Sequence, residues 1–445
     1  MSQGDRAARI ELSNEWHARP SLGFAPPFRC THVVELARQD DLERSRDVFA
    51  AFCSEFGGAG PAAGARYHSV EIGSCLVKWE RHTEAVSHTI LVPGNGKPPF
   101  RETAIEFLSR AKAEELVERM FVGVQVEVLE LEDEADPLGY ELAQSLLGSK
   151  AIYGGWMSAR TAAVWSSFKL DADGFFRIVV VVLERNEERL ARLLHRLLDM
   201  ETYRMMAMLA LPTAREVMAS LGVLEPELDE VMRALAEERD EVDQEQSLHR
   251  ITGLAARVEH IAAAHAYRFA ASRAYSGIVE RRSNEVDEEI IGDRQRYTVF
   301  LLRSLEPAMR TCDAAERRVH DLAGRVGRAA SMLDTMVDFA KKEQNQSILE
   351  SLAQSAGLQV QLQQAVEGFS IVAISYYGVG LLGYGLKSAK ALGLPVNPDL
   401  ATGLAAPLVL AAVWLAVRKV RRKLVGNGSV PSSQPATPSR RRTSL

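Results

Sequence analysis

The chain has 445 residues, 47% of them apolar and 25% charged, with a formal net charge of −6. That is the composition of a folded protein, and the slight acidity makes no general case for nucleic-acid binding. Cys30, Cys53, Cys75 and Cys312 form no C-x-x-C pair and fit no zinc module, which suits reduced, buried thiols in a cytoplasmic compartment.

Residues 1–28 read as an irregular segment. Pro20, Pro26 and Pro27 oppose a helix, and no apolar run of the secretory kind is present. Within it, "NEWHARP" (14–20) groups Glu15, His17 and Arg19. An imidazole beside a carboxylate and a guanidinium can bind an anion or move protons. The same segment can equally be structural, docking onto a sheet through Trp16.

Residues 29–184 predict one α/β domain with a largely antiparallel sheet. "RCTHVVELA" (29–37) reads as a strand and "DDLERSRDVFAAFCSEF" (40–56) as an amphipathic helix. "ARYHSVEI" and "SCLVKWERH" pair around Gly73-Ser74, and "AVSHTILVP" extends the sheet. A helix is expected over 100–120 and a strand over 121–131, an order close to a split β-α-β unit. After a short helix at 138–147, three more strands end at "GFFRIVVVVLE", with "DADG" (171–174) as a hairpin turn. So complete a set predicts that 29–184 folds by itself.

One cluster there suggests chemistry. On a strand, Glu80, His82 and Glu84 of "KWERHTE" share a face by the period of two. Such a set can hold a transition metal, or form a solvated sheet face with cross-strand ion pairs. His260 and His265 are five apart on a helix, the wrong spacing for one face. "GNGKPP" (94–99) lacks the glycine spacing and the Ser/Thr of a phosphate loop. No catalytic signature and no cofactor motif emerges.

From 185 to 365 strand signals vanish, and a helical bundle or coiled-coil region is expected. Val319, Leu322, Val326, Ala329, Leu333, Met336 and Ala340 alternate steps of three and four, a heptad stripe.

Gly378-Val379-Gly380-Leu381-Leu382-Gly383 matches G-x-G-x-x-G, with Asp399 about 20 residues on, where a ribose-binding acid would stand. The context is wrong for a dinucleotide site, because the glycines sit inside one continuous apolar segment. Residues 368–386 carry no charge, and neither do 400–417. Two such runs predict transmembrane helices at 366–386 and 400–417, joined by an interspan loop at 387–399. Gly378, Gly380, Gly383 and Gly385 then serve close helix packing in lipid. Arg418, Lys419, Arg421, Arg422 and Lys423 abut the second run, against only Lys387 and Lys390 between the runs. The positive-inside rule puts both termini in the cytoplasm. The remainder of 418–445 is a Ser/Pro/Arg-rich tail with a disordered composition, whose arginines suit anionic lipid heads.

"NEWHARP", "KWERHTE" (78–84), "AVWSSFKLDADGFFRIVV" (163–180), "ALPTARE" (210–216) and "LQQAVEGFSIVAISYYGVGLLGY" (362–384) together resemble a bacterial family of uncharacterised membrane-anchored proteins, domain-of-unknown-function family 3422. The resemblance implies a membrane anchor and no particular activity. In plan alone the chain also resembles CorA-type divalent-cation transporters. It departs from them where their Gly-Met-Asn motif would stand, having Gly383-Tyr384-Gly385-Leu386-Lys387. The expectation is therefore an α+β protein of the inner membrane, a homo-oligomeric scaffold or regulatory protein, with lipid and its own copies as partners. A CorA-like channel and an enzyme with its site in the α/β domain are the alternatives.

Overall fold

A computed structural model describes residues 23–130, 136, 138–237, 241–392, 395 and 397–426. The segment holding Glu15, His17 and Arg19, and the tail beyond 426, lie outside the described residues. One compact unit extends to Asp334 and a second begins at Thr335.

The first unit is built on an eight-stranded sheet in the order β2-β3-β4-β1-β5-β8-β7-β6. Its strands are β1 (Phe28–Leu36), β2 (Tyr67–Ile72), β3 (Cys75–Arg81), β4 (Ala85–Pro93), β5 (Val122–Glu130), β6 (Tyr153–Met157), β7 (Ala162–Leu170) and β8 (Phe176–Val182). β1 lies antiparallel to both β4 and β5, so those two run the same way with β1 between them. That is a split β-α-β arrangement, as the element order suggested. The parallel pair is β5–β8. These central strands read "VGVQVEVLE" and "FRIVVVV". The runs are nearly unbroken because both faces of the sheet are covered there.

Helices α1 (Gln39–Glu55), α2 (Arg110–Glu118) and α3 (Tyr140–Leu146) interrupt the strands. Phe49, Phe52 and Cys53 of α1 cover Val33, Val77, Trp79 and Ile90 on one face. Farther along that face, Ala143 of α3 packs with Leu129, Trp165, Val179 and Val181. The helix expected over 100–120 is divided. Phe100 has a φ of 64°. Thr103 then opens a short 3-10 turn, Ala104–Phe107, its N–H donating to Glu106 Oε1 at 3.0 Å. α2 begins only at Arg110, after Ser109.

Four helices follow: α4 (Glu187–Met208), α5 (Ala210–Glu237), α6 (Glu241–Glu285) and α7 (Tyr297–Ala391), of which α4, α6 and α7 cover the opposite face. Leu190, Leu193, Leu194 and Leu197 of α4 share one core with Val124, Val126, Ile178 and Val180 of the sheet, joined by Tyr275 and Val279 of α6 and Tyr297 and Leu301 of α7. The change of texture expected near 185 is therefore a change of secondary structure within one continuous core. A second core forms among α5, α6 and α7. On α5, Ala214, Val217, Leu221, Leu224, Leu228, Val231 and Leu235 repeat at steps of three and four. Five of the seven residues of the predicted stripe on α7 meet them, Val319, Leu322, Val326, Ala329 and Leu333 being buried there, whereas Met336 and Ala340 are only partly buried and lie outside this core. Cys30, Cys53 and Cys312 each sit in a different one of these three cores, and Cys75 is also buried.

The segment between α6 and α7 closes the β6 edge. Trp156 N–H donates to Glu289 O at 3.1 Å and Glu289 N–H to Trp156 O at 2.9 Å. Gly155 permits that approach, since a Cβ there would lie 2.4 Å from Glu289 O.

In the second unit, α7 runs on from Thr335, and α8 covers Pro398–Gly426. The two helices pack antiparallel. A Cβ on Gly378 would lie 3.2 Å from Val409 Cγ1, and one on Gly383 would lie 3.5 Å from Thr402. At Gly380 and Gly385 nothing lies within 4 Å.

The shared core sets an expectation opposite to that drawn from the strand pattern. A fragment spanning 29–184 leaves the sheet face under α4 bare and gives no cooperative urea transition by circular dichroism, whereas 23–334 does. A sharp transition from 29–184 alone refutes the requirement for α4.

Candidate functional site

Beneath α4, on the β2–β3–β4–β1 side, the sheet face turns polar. Register explains the grouping. Ser69, Lys78, Thr89 and His32 lie in one cross-strand row, and Tyr67, Glu80 and Ser87 in the next. Alternation puts Lys78 and Glu80 on this face and Trp79 on the other, where its indole donates to Ser45 Oγ at 2.9 Å. From α4, His195, Asp199 and Thr202 recur at steps of four and three and close over the rows.

Every member has a partner. His32 Nδ1 lies 2.8 Å from Thr89 Oγ1 and its Nε2 3.1 Å from Thr202 Oγ1. A neutral ring has one donor and one acceptor nitrogen, and a hydroxyl can meet either. Lys78 Nζ lies 2.8 Å from Glu80 Oε2, both nearly buried, and stands 4.8 Å from the centre of the Tyr67 ring. His82 Nε2 meets Ser87 Oγ at 3.1 Å, and its Nδ1 the Tyr203 hydroxyl at 3.2 Å. Asp199 accepts from Arg282 of α6 at 2.8 Å and lies 3.6 Å from His195 Nε2.

Burial sets the protonation states. It disfavours the charged form of His32, and His82 and Lys78 add to this, holding its pKa down at about 3. His195 is lowered for the same first reason, with Asp199 opposing. Burial pushes the Glu80 carboxyl up, but Lys78 and His82 outweigh it and bring it down to about 2. Near neutrality the cluster thus holds a neutral imidazole at His32 beside a charged Lys–Glu pair. It offers no activated nucleophile.

Of the expected trio, Glu80 and His82 both line this cluster, and Glu84 stands apart. β3 ends at Arg81, and His82 and Glu84 belong to the turn into β4, closed by His82 N–H on Ala85 O at 2.8 Å. Glu84 turns to α6, where Arg268 holds it by two bonds of 2.9 Å. Among the described residues no group of three or more His, Cys, Asp or Glu side chains is placed to hold a metal ion. Glu80 stands in a buried ion pair rather than on a solvated face. Two "GNGKPP" amides are engaged internally: Gly94 N–H donates to Pro27 O at 2.8 Å and Gly96 N–H to Glu127 at 3.4 Å, a carboxylate that also accepts from Phe100 N–H at 2.9 Å.

Sequence reading missed His32, Lys78, His195, Asp199 and Thr202. A faint signal exists in each case: His32 and Lys78 interrupt apolar strands, and His195 and Asp199 stand four apart in "LLHRLLDMET".

Among the described residues, three helical stretches are long and apolar enough to cross a membrane: Glu187–Ala236, Tyr297–Ala391 and Pro398–Lys419. The apolar window is 33% buried in the first, but 6% and 0% in the others. The first feeds the two cores already described. Fold and site together define an α+β protein whose mixed sheet shares its core with long helices, carries a buried polar cluster and is followed by two bare apolar helices. A family model described as "Protein of unknown function (DUF3422)" matches residues 5–424, and the chain belongs to that family. Among curated proteins none matches it. Among solved structures, the CorA magnesium transporter from Methanocaldococcus jannaschii is similar at 10% identity and a TM-score of 0.18, covering 70% of this chain and 92% of that one. A superposition at that level carries no weight for fold or function.

Removing one partner of a buried ion pair leaves the other charge uncompensated, at a cost of about 3–5 kcal/mol. Lys78→Met is expected to lose stability on that scale in urea denaturation, and Lys78→Met with Glu80→Leu to recover most of it. Equal losses in the single and double variants would contradict the pairing.

The pH dependence has a definite sign. His32 and Glu80 both have folded-state pKa values below their ordinary 6.5 and 4.5. Their stabilising contributions are complete above those ordinary values. That of His32 is lost as pH falls from 6.5 toward 3, and that of Glu80 from 4.5 toward 2. His32→Gln is therefore expected to flatten the fall in unfolding free energy between pH 6.5 and 4.5, measured by denaturant titration at a series of pH values.

Proposed function

We propose that this protein is anchored in the bacterial inner membrane by two spans, 366–386 and 400–417, with its sheet-bearing unit and both termini in the cytoplasm, and that it acts there as a homo-oligomeric scaffold or regulatory protein. The observation that carries the membrane reading is the bareness of the second unit's apolar helices. Phe369 is 78% exposed, Leu381 77% and Leu408 73%. Left in water, each forgoes roughly 1.5–3 kcal/mol of burial; the hydrocarbon core of a bilayer supplies it. Orientation rests on Arg418, Lys419, Arg421, Arg422 and Lys423 after the second span, against Lys387 and Lys390 between the spans.

The apolar surface open to a second copy lies in the later part of α7. The 319–333 stripe is consumed inside the chain and is closed to a second copy. Beyond Thr335 the same helix is uncovered: Phe339, Leu349, Leu352, Leu358 and Leu362 are all at least 60% exposed. A long solvated helix with apolar residues on its surface gains from a lateral partner. The open faces at Gly380 and Gly385 allow the same in lipid.

Reporter fusions after residue 426 and at residue 397 are expected on opposite sides, with the first cytoplasmic; a periplasmic C-terminal reporter would overturn the orientation. Native mass spectrometry of the detergent-extracted protein is expected to show an oligomer that weakens with Leu352→Asp and Leu362→Asp together. A monomer at every concentration would refute self-association.

A further inference from the structure

On the sheet face away from α4 lies a cavity of about 290 Å³, between α1, α2 and strands β1, β3 and β4. Its floor is Val77, Val86 and Ile90, and its wall is Phe49 and Phe52 of α1. The size is at the lower limit of small-molecule sites, about 300 Å³. The aromatic wall is ordered. Phe49 stacks on Phe52 at 5.8 Å and on Trp79 at 6.0 Å.

Charge at the site separates into two kinds. Asp41, Arg44, Glu55, Lys112, Glu115 and Arg119 form the rim, and each side chain is at least 35% exposed. They pair with one another: Arg44 with Asp41 at 3.5 Å, Lys112 with Glu55, and Arg119 with Glu115 at 3.9 Å. Solvent and salt screen such pairs, so they select a ligand's charge weakly. Glu35 is different. It stands on β1, only 7% exposed, and its carboxylate lines the cavity. Arg119 Nε reaches Oε2 at 3.0 Å from the rim. Oε1 faces His88 Nε2 at 3.5 Å, longer than a good hydrogen bond. One oxygen of a buried carboxylate therefore has room for a stronger donor than it now meets, in surroundings where a charge acts with little screening.

We propose that this cavity binds a small organic cation, an amine with an aromatic or short aliphatic body. Its ammonium group sits on Glu35 Oε1, and its apolar body fills the space over Val77, Val86 and Ile90. Lys112 Nζ already stands 5.0 Å over the Phe52 ring, so a cation is at home against this wall. A carboxylate ligand would meet Glu35 as a like charge, and a neutral alcohol would give Oε1 only an uncharged donor, the weaker bond.

The test uses the full chain in lipid nanodiscs, titrated calorimetrically with 2-phenylethylamine, 2-phenylethanol and 3-phenylpropionate, with uptake by empty nanodiscs subtracted. The amine is expected to bind saturably, one per chain, more tightly than the alcohol, and the carboxylate least. Glu35→Gln is expected to weaken the amine by about tenfold or more and the alcohol much less. Equal binding of amine and alcohol, a preference for the carboxylate, or no saturable binding of any probe would overturn the proposal. The order among the three probes is read on the unaltered protein, so it decides even if Glu35→Gln does not fold. If that variant folds and binds the amine as before, the assignment to Glu35 fails.

Discussion

The first unit depends on how α4 meets the sheet. The helix carries two adjoining stripes, Leu190, Leu193, Leu194 and Leu197 beside His195, Asp199 and Thr202. The sheet beneath is divided in the same way, apolar at Val124, Val126, Ile178 and Val180, polar at His32, Lys78, Glu80 and Thr89. Each stripe has one matching half. A turn of the helix about its axis would set leucines over a Lys–Glu pair and an aspartate over valines, and both errors are costly. The two-part match thus fixes the helix in rotation as well as in place. Through α4, α6 and α7 are fixed too, since Tyr275, Val279, Tyr297 and Leu301 complete the same core.

The two faces of the sheet answer the problem of a buried charge differently. On the α4 face, polar groups are packed until each meets another, which gives up some stability in exchange for one defined arrangement. On the α1–α2 face a single carboxylate stands at the edge of an apolar space and is only partly answered. The first kind of site is complete without anything added. The second is the kind that a ligand completes.

The sequence was informative wherever a local rule governs. Strand alternation, the Gly73-Ser74 and "DADG" turns and the heptad spacing at 319–333 are properties of neighbouring residues, and all recur in the structure. The heptad could not reveal its partner, because the matching repeat on α5 begins about a hundred residues earlier and either a copy or the chain itself could supply one. Glu80, His82 and Glu84 were grouped on the assumption that β3 continues. The strand stops at Arg81 because His82 closes the turn, and a turn of that kind depends on where β4 pairs. His32 and Glu35 are hard to interpret in sequence for another reason. A lone polar residue in a strand looks the same whether it faces a cavity, an ion pair or water. Burial decides, and burial is a property of the whole fold.

The four thiols give the chain an internal set of clocks. Burial raises Cys30, Cys53, Cys75 and Cys312 above the usual thiol range, so alkylating reagents and oxidants find almost no thiolate while the protein stays closed. Cys30 sits in the core under α4, Cys312 in the core of the long helices and Cys53 in the core under α1. How fast each is modified depends on how often its own core opens and for how long. One labelling time course, read cysteine by cysteine, therefore separates local breathing of three cores that optical melting would merge, and leaves any cysteine introduced on the surface free to report on something else.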